Sequence, residues 1–219
     1  AGSSTLVHIT CKMRTLTKRQ RFMRSAQKIP GLVAYYPLND SVSTNAINYA
    51  LANLSATGSN TDVGINQAGR LGRAYNFNGT SSLILVTSNV VNLSVFTYLA
   101  LIYVTTINVI NTIRGDTKGS GTRAPQFRVN ASNNLELLEQ GVASIGSSTG
   151  TVSADTWTLV AVSYDSSGVY TFYINGVPSG TGTNLRAFDF GDLWIGQSTN
   201  ASELFNGNIQ HFVNINRAL

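Results

Sequence analysis

One cysteine, Cys11, in 219 residues leaves an intramolecular disulfide nothing to close, and with only two histidines there is no Cys/His set to hold a structural zinc. Stability has to come from packing. Charge is scarce too: Asp, Glu, Lys and Arg supply 11% of the chain, less than half of the roughly 25% usual in soluble domains. Long apolar runs are also missing. No charge occurs between Arg73 and Arg114, yet Asn92, Ser94, Thr97, Thr105, Thr106 and Asn108 break up that stretch. Its longest pure run, YLALIYV, has seven residues (98–104), far below the 20 or so that a membrane helix needs, and it reads as a buried strand. The opening AGSSTLVHIT has neither a basic nor a long apolar region, so no retained secretory signal is expected.

What is present is 42% hydrophobic residues, enough for a real core, set among abundant Gly, Ser, Thr and Asn, a composition of strands and turns. The formal charge of +5 is unevenly placed. Lys12, Arg14, Lys18, Arg19, Arg21, Arg24 and Lys28 precede the first acid, Asp40, and the remainder is net −2. A basic arm is thus joined to a weakly acidic body. In the arm, Thr17 and Gln20 have capping-box spacing, and Phe22, Met23, Ala26 and Ile29 recur at helical intervals before Pro30 and Gly31 stop the pattern. A short basic amphipathic helix is expected, marginal unless its Phe22/Met23 side docks on something.

Beyond Gly31 short β-branched and aromatic runs alternate with turn residues. Eleven strands are expected, at 32–38, 74–79, 82–87, 95–106, 109–114, 125–130, 134–139, 156–165, 169–177, 192–196 and 207–216. Tyr164 to Gly168 and Ile174-Asn175-Gly176 are hairpin signals, and 39–73 reads as an irregular surface excursion. The economical division is an arm at 1–30 and one all-β domain at 31–219.

The sequence of motifs resembles the concanavalin A-like lectin/glucanase superfamily, in its laminin-G-like branch. The resemblance rests on PGLVAYYPLND, Phe77-Asn78-Gly79, the Trp157 strand with its hairpin to Phe172-Tyr173-Ile174-Asn175-Gly176, and the close from Gly207-Asn208-Ile209 to Arg217-Ala218-Leu219. It implies a jelly-roll sandwich of two antiparallel sheets. Gly79 and Gly176 read as tight-turn residues, and Trp157 and Trp194 as core.

Such a fold carries many functions, so chemistry must be sought in a site. Retaining glycosidases of this fold set two Glu and an Asp along one strand. Here Glu136 and Glu139, three apart, fall on opposite faces and Glu203 is remote, so hydrolysis is not expected. Gly146-Ser147-Ser148-Thr149-Gly150 matches GxSxG but precedes no helix and reads as a loop turn, while His8 and His211 give a nucleophile little support. The Gly115–Gly121 stretch lacks a phosphate-loop order and reads as a flexible hairpin loop. No cofactor is expected except the calcium that many relatives bind. Asp116, Asp189 and Asp192, with Asn206 close in sequence, are the residues offered for it; Gln210 stands where the closing strand of the family usually has an acid.

The expected function is therefore a non-enzymatic structural protein of a bacteriophage virion, a capsid decoration, fibre or tail component, because short basic leads into PGLVAYYPLND-like starts resemble those of virion proteins with this fold. Its partners would be other virion or assembly proteins met through Lys12, Arg14, Lys18, Arg19, Arg21, Phe22, Met23, Arg24 and Lys28, further copies of the chain, and host-surface glycans. Nucleic acid is a lesser partner for the arm, and a solvated tether is the plain alternative. A free extracellular carbohydrate-binding or adhesion module is the second reading and a divergent glycoside hydrolase the third.

Overall fold

The computed structural model describes residues 28–41, 45–50, 57–87, 93–117, 123–140, 142–198 and 203–219. Two antiparallel sheets face each other. The first runs β14 (Val177–Thr183), β13 (Val169–Ile174), β12 (Trp157–Tyr164), β7 (Phe96–Val104), β16 (Asn206–Ile215), β5 (Gly72–Asn78) and β4 (Gly64–Gly69), with β1 (Leu32–Tyr36) also paired to β16. The second runs β11 (Ala143–Thr151), β10 (Asn134–Glu139), β9 (Pro125–Val129), β8 (Asn111–Asp116), β15 (Leu193–Ile195), β6 (Leu83–Val86), β3 (Gly58–Thr61) and β2 (Asn45–Ala46). The all-β sandwich of the sequence reading is present. The expected basic helix lies outside the described residues, and no described helix is long and apolar enough to cross a membrane.

Alternation builds the core. Phe96, Tyr98, Ala100, Ile102 and Val104 of β7 and Val160, Val162 and Tyr164 of β12 face inward, against Ile113, Phe127, Val129, Leu135, Leu137, Leu193 and Ile195 of the second sheet. Phe96 stacks between Tyr98 and Tyr164 at centroid distances of 4.4 and 5.2 Å. Burial pushes the Tyr98 hydroxyl up to about 12, since an anion there would have no water.

The turns behave as their residues demand. Asp165 Oδ1 accepts the N–H groups of Ser167 and Val169 between β12 and β13, and Asn175 and Gly176, both at positive φ, close β13 onto β14. Gly79 is also at positive φ, as expected. Gly207, at φ 141°, lies so close to β7 that a Cβ would overlap the Tyr103 carbonyl oxygen. Gly207→Ala should lower stability by about 2 kcal/mol or more, read as the urea midpoint; an unchanged midpoint would contradict the packing.

Three expectations need correction. The 39–73 excursion contains β2, β3 and β4; 146–150 is the interior of β11 rather than a loop turn; and the 169–177 run divides into β13 and the start of β14. The Gly/Ser/Asn-rich segments in 39–73 and 146–150 have little intrinsic strand preference, and ladder pairing overrides it, whereas the 169–177 run breaks at the Asn175-Gly176 turn. Of the 115–121 loop, Gly115 and Asp116 belong to β8, and 118–121 lie outside the described residues.

Candidate functional site

Cross-strand register lays out the outer face of the first sheet in rows. At one end Tyr35, Val213, Leu99, Ala161 and Tyr173 stand opposite one another across β1, β16, β7, β12 and β13. In the middle lie Leu101 and Leu159, and at the other end Asn208, Tyr103 and Trp157. A groove of about 520 Å³ runs over the middle and the Trp157 end, lined by Leu99, Leu101, Leu159, Trp157, Arg70 and His211 among others. It continues into a depression of about 240 Å³ at Leu99, Leu159, Ala161, Tyr173 and Leu219.

Trp157 is half-buried here, not in the core as the sequence suggested, because it shares its register face with Leu159 and Ala161. Trp194, also half-buried, lies between the buried Leu193 and Ile195 on the outer side of β15. The Trp157 ring meets Tyr103 at 5.6 Å between centroids, tilted by 52°. Partial desolvation, then the Asp155 carboxylate to which it hydrogen-bonds, holds the Tyr103 phenol above its ordinary range. Polar groups rim these rings. Arg70 Nη1 donates to the Trp157 carbonyl at 3.2 Å, Asn175 Oδ1 accepts the Leu159 N–H at 3.0 Å, and Asn76 Nδ2 donates to Asn208 Oδ1 at 2.8 Å.

His211, dismissed on sequence grounds, reaches the groove through a break in register. Between Gln210 and Val213 the ladder to β7 slips, His211 adopts φ 55°, and its Nδ1 pairs with the Tyr35 hydroxyl at 2.9 Å. Gln210, standing where relatives usually have an acid, is buried; its Nε2 donates to the Arg73 carbonyl and its Oε1 accepts the Leu71 N–H, fixing the β4–β5 turn that borders the groove.

The acidic candidates lie elsewhere. The ladder between β8 and β9 bulges at Ile113, so Arg114 turns inward, over Tyr98 at 5.1 Å and Phe190 at 5.6 Å. Its Nη2 meets Asp116 Oδ2 at 3.2 Å with both side chains fully buried, its Nη1 donates to the Pro125 carbonyl, and Asp116 Oδ1 accepts the Gly191 N–H at 2.8 Å. Asp116 is thus engaged in a buried ion pair. The Asp189 N–H donates to the Arg123 carbonyl, and the Asp192 carbonyl accepts the Thr117 N–H while the Asp192 N–H donates to Thr117 Oγ1. Asn206 belongs to β16, where its N–H donates to Asn111 Oδ1. Among the described residues no group of three His, Cys, Asp or Glu side chains converges as metal ligands do.

Two of the three glutamates, Glu136 and Glu203, come together although they are remote in sequence. Arg128 pairs with Glu136 at 2.8 Å and with Glu203 at 2.9 Å, so the remote Glu203 joins Glu136 on the outer side of the second sheet. Glu139 is buried and 3.6 Å from Arg186. His8 and the arm residues Lys12, Arg14, Lys18, Arg19, Arg21, Phe22, Met23 and Arg24 lie outside the described residues; Lys28 is exposed at their start.

A laminin G model of the concanavalin A-like lectin/glucanases superfamily matches residues 77–219. The chain belongs to the concanavalin A-like lectin/glucanase superfamily. No curated protein sequence matches it. Among solved structures, this superfamily member resembles the Trypanosoma rangeli sialidase in complex with sialic acid, with 15% identity and a TM-score of 0.64 over 86% of this chain and 31% of the sialidase. It also resembles domain 4 of an extracellular arabinanase from Geobacillus stearothermophilus in complex with arabinotriose, with 19% identity and a TM-score of 0.64 over 86% of this chain and 93% of that one. A botulinum neurotoxin type C structure, whose cell entry depends on two ganglioside molecules, aligns at 14% identity and a TM-score of 0.63, over 90% of this chain and 50% of the toxin chain. The superfamily member thus spans about a third of the sialidase and half of the toxin chain, and at these identities the likeness is one of fold, a lectin-like β-sandwich.

Proposed function

We propose that the protein is a non-enzymatic saccharide-binding module, displayed on a bacteriophage virion, whose ligand lies in the outer-face groove at its Trp157 end. The observation that carries this reading is the juxtaposition of Trp157 and Tyr103 with Arg70, Asp155 and Asn175 on a rigid sheet. A pyranose ring presents an apolar C–H face, which stacks on aromatic rings, and a rim of hydroxyls, which need donors and acceptors at the edge. The groove offers both. Binding rather than hydrolysis is supported by the glutamates, each engaged by Arg128 or Arg186: among the described residues no Glu lines the groove, and the Asp155 carboxylate at its rim is engaged by the Tyr103 hydroxyl. Sialic acid, arabinotriose and gangliosides are ligands of the similar structures, which makes them suitable first probes.

The virion setting rests on the basic lead sequence and its resemblance to virion proteins. A glycan array carrying sialosides, gangliosides and arabino-oligosaccharides should give saturable binding that persists in chelator, because among the described residues no carboxylate cluster gathers to hold calcium. Silence on every glycan would overturn saccharide binding, and loss of signal in chelator would move the site toward Asp116, Asp189 and Asp192. Finding the protein absent from purified particles would remove the virion setting alone.

A further inference from the structure

Among the described residues that line the groove, Arg70 is the one drawn from Lys, Arg, Asp and Glu, so the charge on the groove wall is positive. The turn that presents it is fixed. Gly69 pairs with Gly72, which makes exposed Arg70 and Leu71 the two-residue tip between β4 and β5. Buried Gln210 ties this tip down, its Oε1 accepting the Leu71 N–H at 3.2 Å and its Nε2 donating to the Arg73 carbonyl at 2.6 Å. A carboxylate at position 210 could accept the first bond but could not donate the second. The amide therefore holds the turn and keeps a negative charge out of the strand beneath it.

From the tip the guanidinium reaches β12, where Nη1 donates to the Trp157 carbonyl at 3.2 Å. That is a single bond for a group with five N–H donors. All ten acids of the chain lie among the described residues, and none forms an ion pair with Arg70. Arg114, Arg128 and Arg186, by contrast, each face a carboxylate.

We propose that the saccharide is acidic, a pyranose bearing a carboxylate, and that Arg70 selects it. This rests on the saccharide reading of the groove and names the class of its ligand. A guanidinium presents parallel N–H groups that match a carboxylate in shape as well as charge, which an ammonium or an amide does not. Leu71, Leu101 and Leu159 line the same groove and exclude part of the water that weakens such pairs on an open surface. The rim sets the orientation. Asp155, hydrogen-bonded to the Tyr103 phenol, repels an anion and accepts from hydroxyls. The carboxylate thus lies toward Arg70 and the hydroxyl edge toward Asp155, with the C–H face of the ring on Trp157 and Tyr103. A neutral pyranose keeps the stacking but leaves the guanidinium to water. Terminal sialate and internal uronate both carry the required group.

Matched probes test this on the full chain by calorimetry: a glucuronate-containing disaccharide against its carboxyl-reduced form, and sialyllactose against lactose. In at least one pair the acidic member should bind about tenfold tighter or more, and the pair that shows it distinguishes uronate from sialate. The preference should shrink when salt is raised from about 50 to about 500 mM. In Arg70→Gln, an exposed turn position at which the urea midpoint should hold, the ratio should fall below about twofold. Trp157→Ala should weaken both members of the pair. Equal affinities within both pairs, each lost in Trp157→Ala, would overturn the acidic assignment and leave the saccharide groove standing. A preference that survives Arg70→Gln would put the carboxylate elsewhere and overturn the role of Arg70. Silence from these probes and from the whole array would overturn both readings.

Discussion

Arg114→Ala should destabilise the protein by about 3–5 kcal/mol, the cost of removing one partner of a buried ion pair. The guanidinium is fully buried over Tyr98 and Phe190, and it is the cation facing the equally buried Asp116. Alanine would take the guanidinium away from that carboxylate, which also accepts the Gly191 N–H, and open a cavity between the sheets where a large planar group had been. Removing both charges is a different matter, because the desolvation cost of each goes with it. Arg114→Met combined with Asp116→Leu should recover most of the loss. Urea midpoints of the single and double variants check this. A single variant within about 1 kcal/mol of the parent would mean that the pair is solvated and that the bulge at Ile113 does not turn Arg114 into the core.

Trp157→Ala should weaken saccharide binding by about 30-fold or more, the 2 kcal/mol expected of an aromatic anchor at the centre of a binding surface. Because the ring lies on the outer face of β12, the urea midpoint should move far less than for Arg114→Ala. Trp194→Ala is the matched control, an equally large deletion on the outer side of the other sheet that should leave the dissociation constant unchanged. Titration of both variants with the strongest array ligand decides the matter. Equal affinities for the parent and Trp157→Ala would place the saccharide elsewhere, whereas loss in both variants would indicate a fold effect.

Much of the framework could be read from local sequence. Asp165 and Gly168, and Asn175 with Gly176, mark their hairpins by side-chain chemistry alone, and the alternation in 157–164 identifies Val160, Val162 and Tyr164 as a set. The strands β2, β3, β4, β11 and β14 were not legible, because Gly, Ser and Asn carry no strand preference and only their neighbours make them strands. Reading the tryptophans as core failed for a related reason: size argues for burial but does not choose a face, and register chose the outer one. The groove did have a sequence signal. YLALIYV is apolar at every position, and a strand with one face in water should alternate, so the run already implied that Leu99 and Leu101 face something other than open solvent. His211 had no such signal, since it enters the groove by a break in register that no local pattern announces.

The sheet margins bear on how many copies can be crowded together. On one side the sandwich ends in β11 and β14, two strands of Gly, Ser and Thr that lie against each other, with the Gly150 N–H donating to Ser179 Oγ at 2.9 Å and irregular register toward both inner neighbours. Pro178 removes a further donor from β14. Margins that are bent, short of apolar side chains and tied to each other make poor templates for a foreign strand. Such a domain tolerates crowding without fusing edge to edge into fibrils.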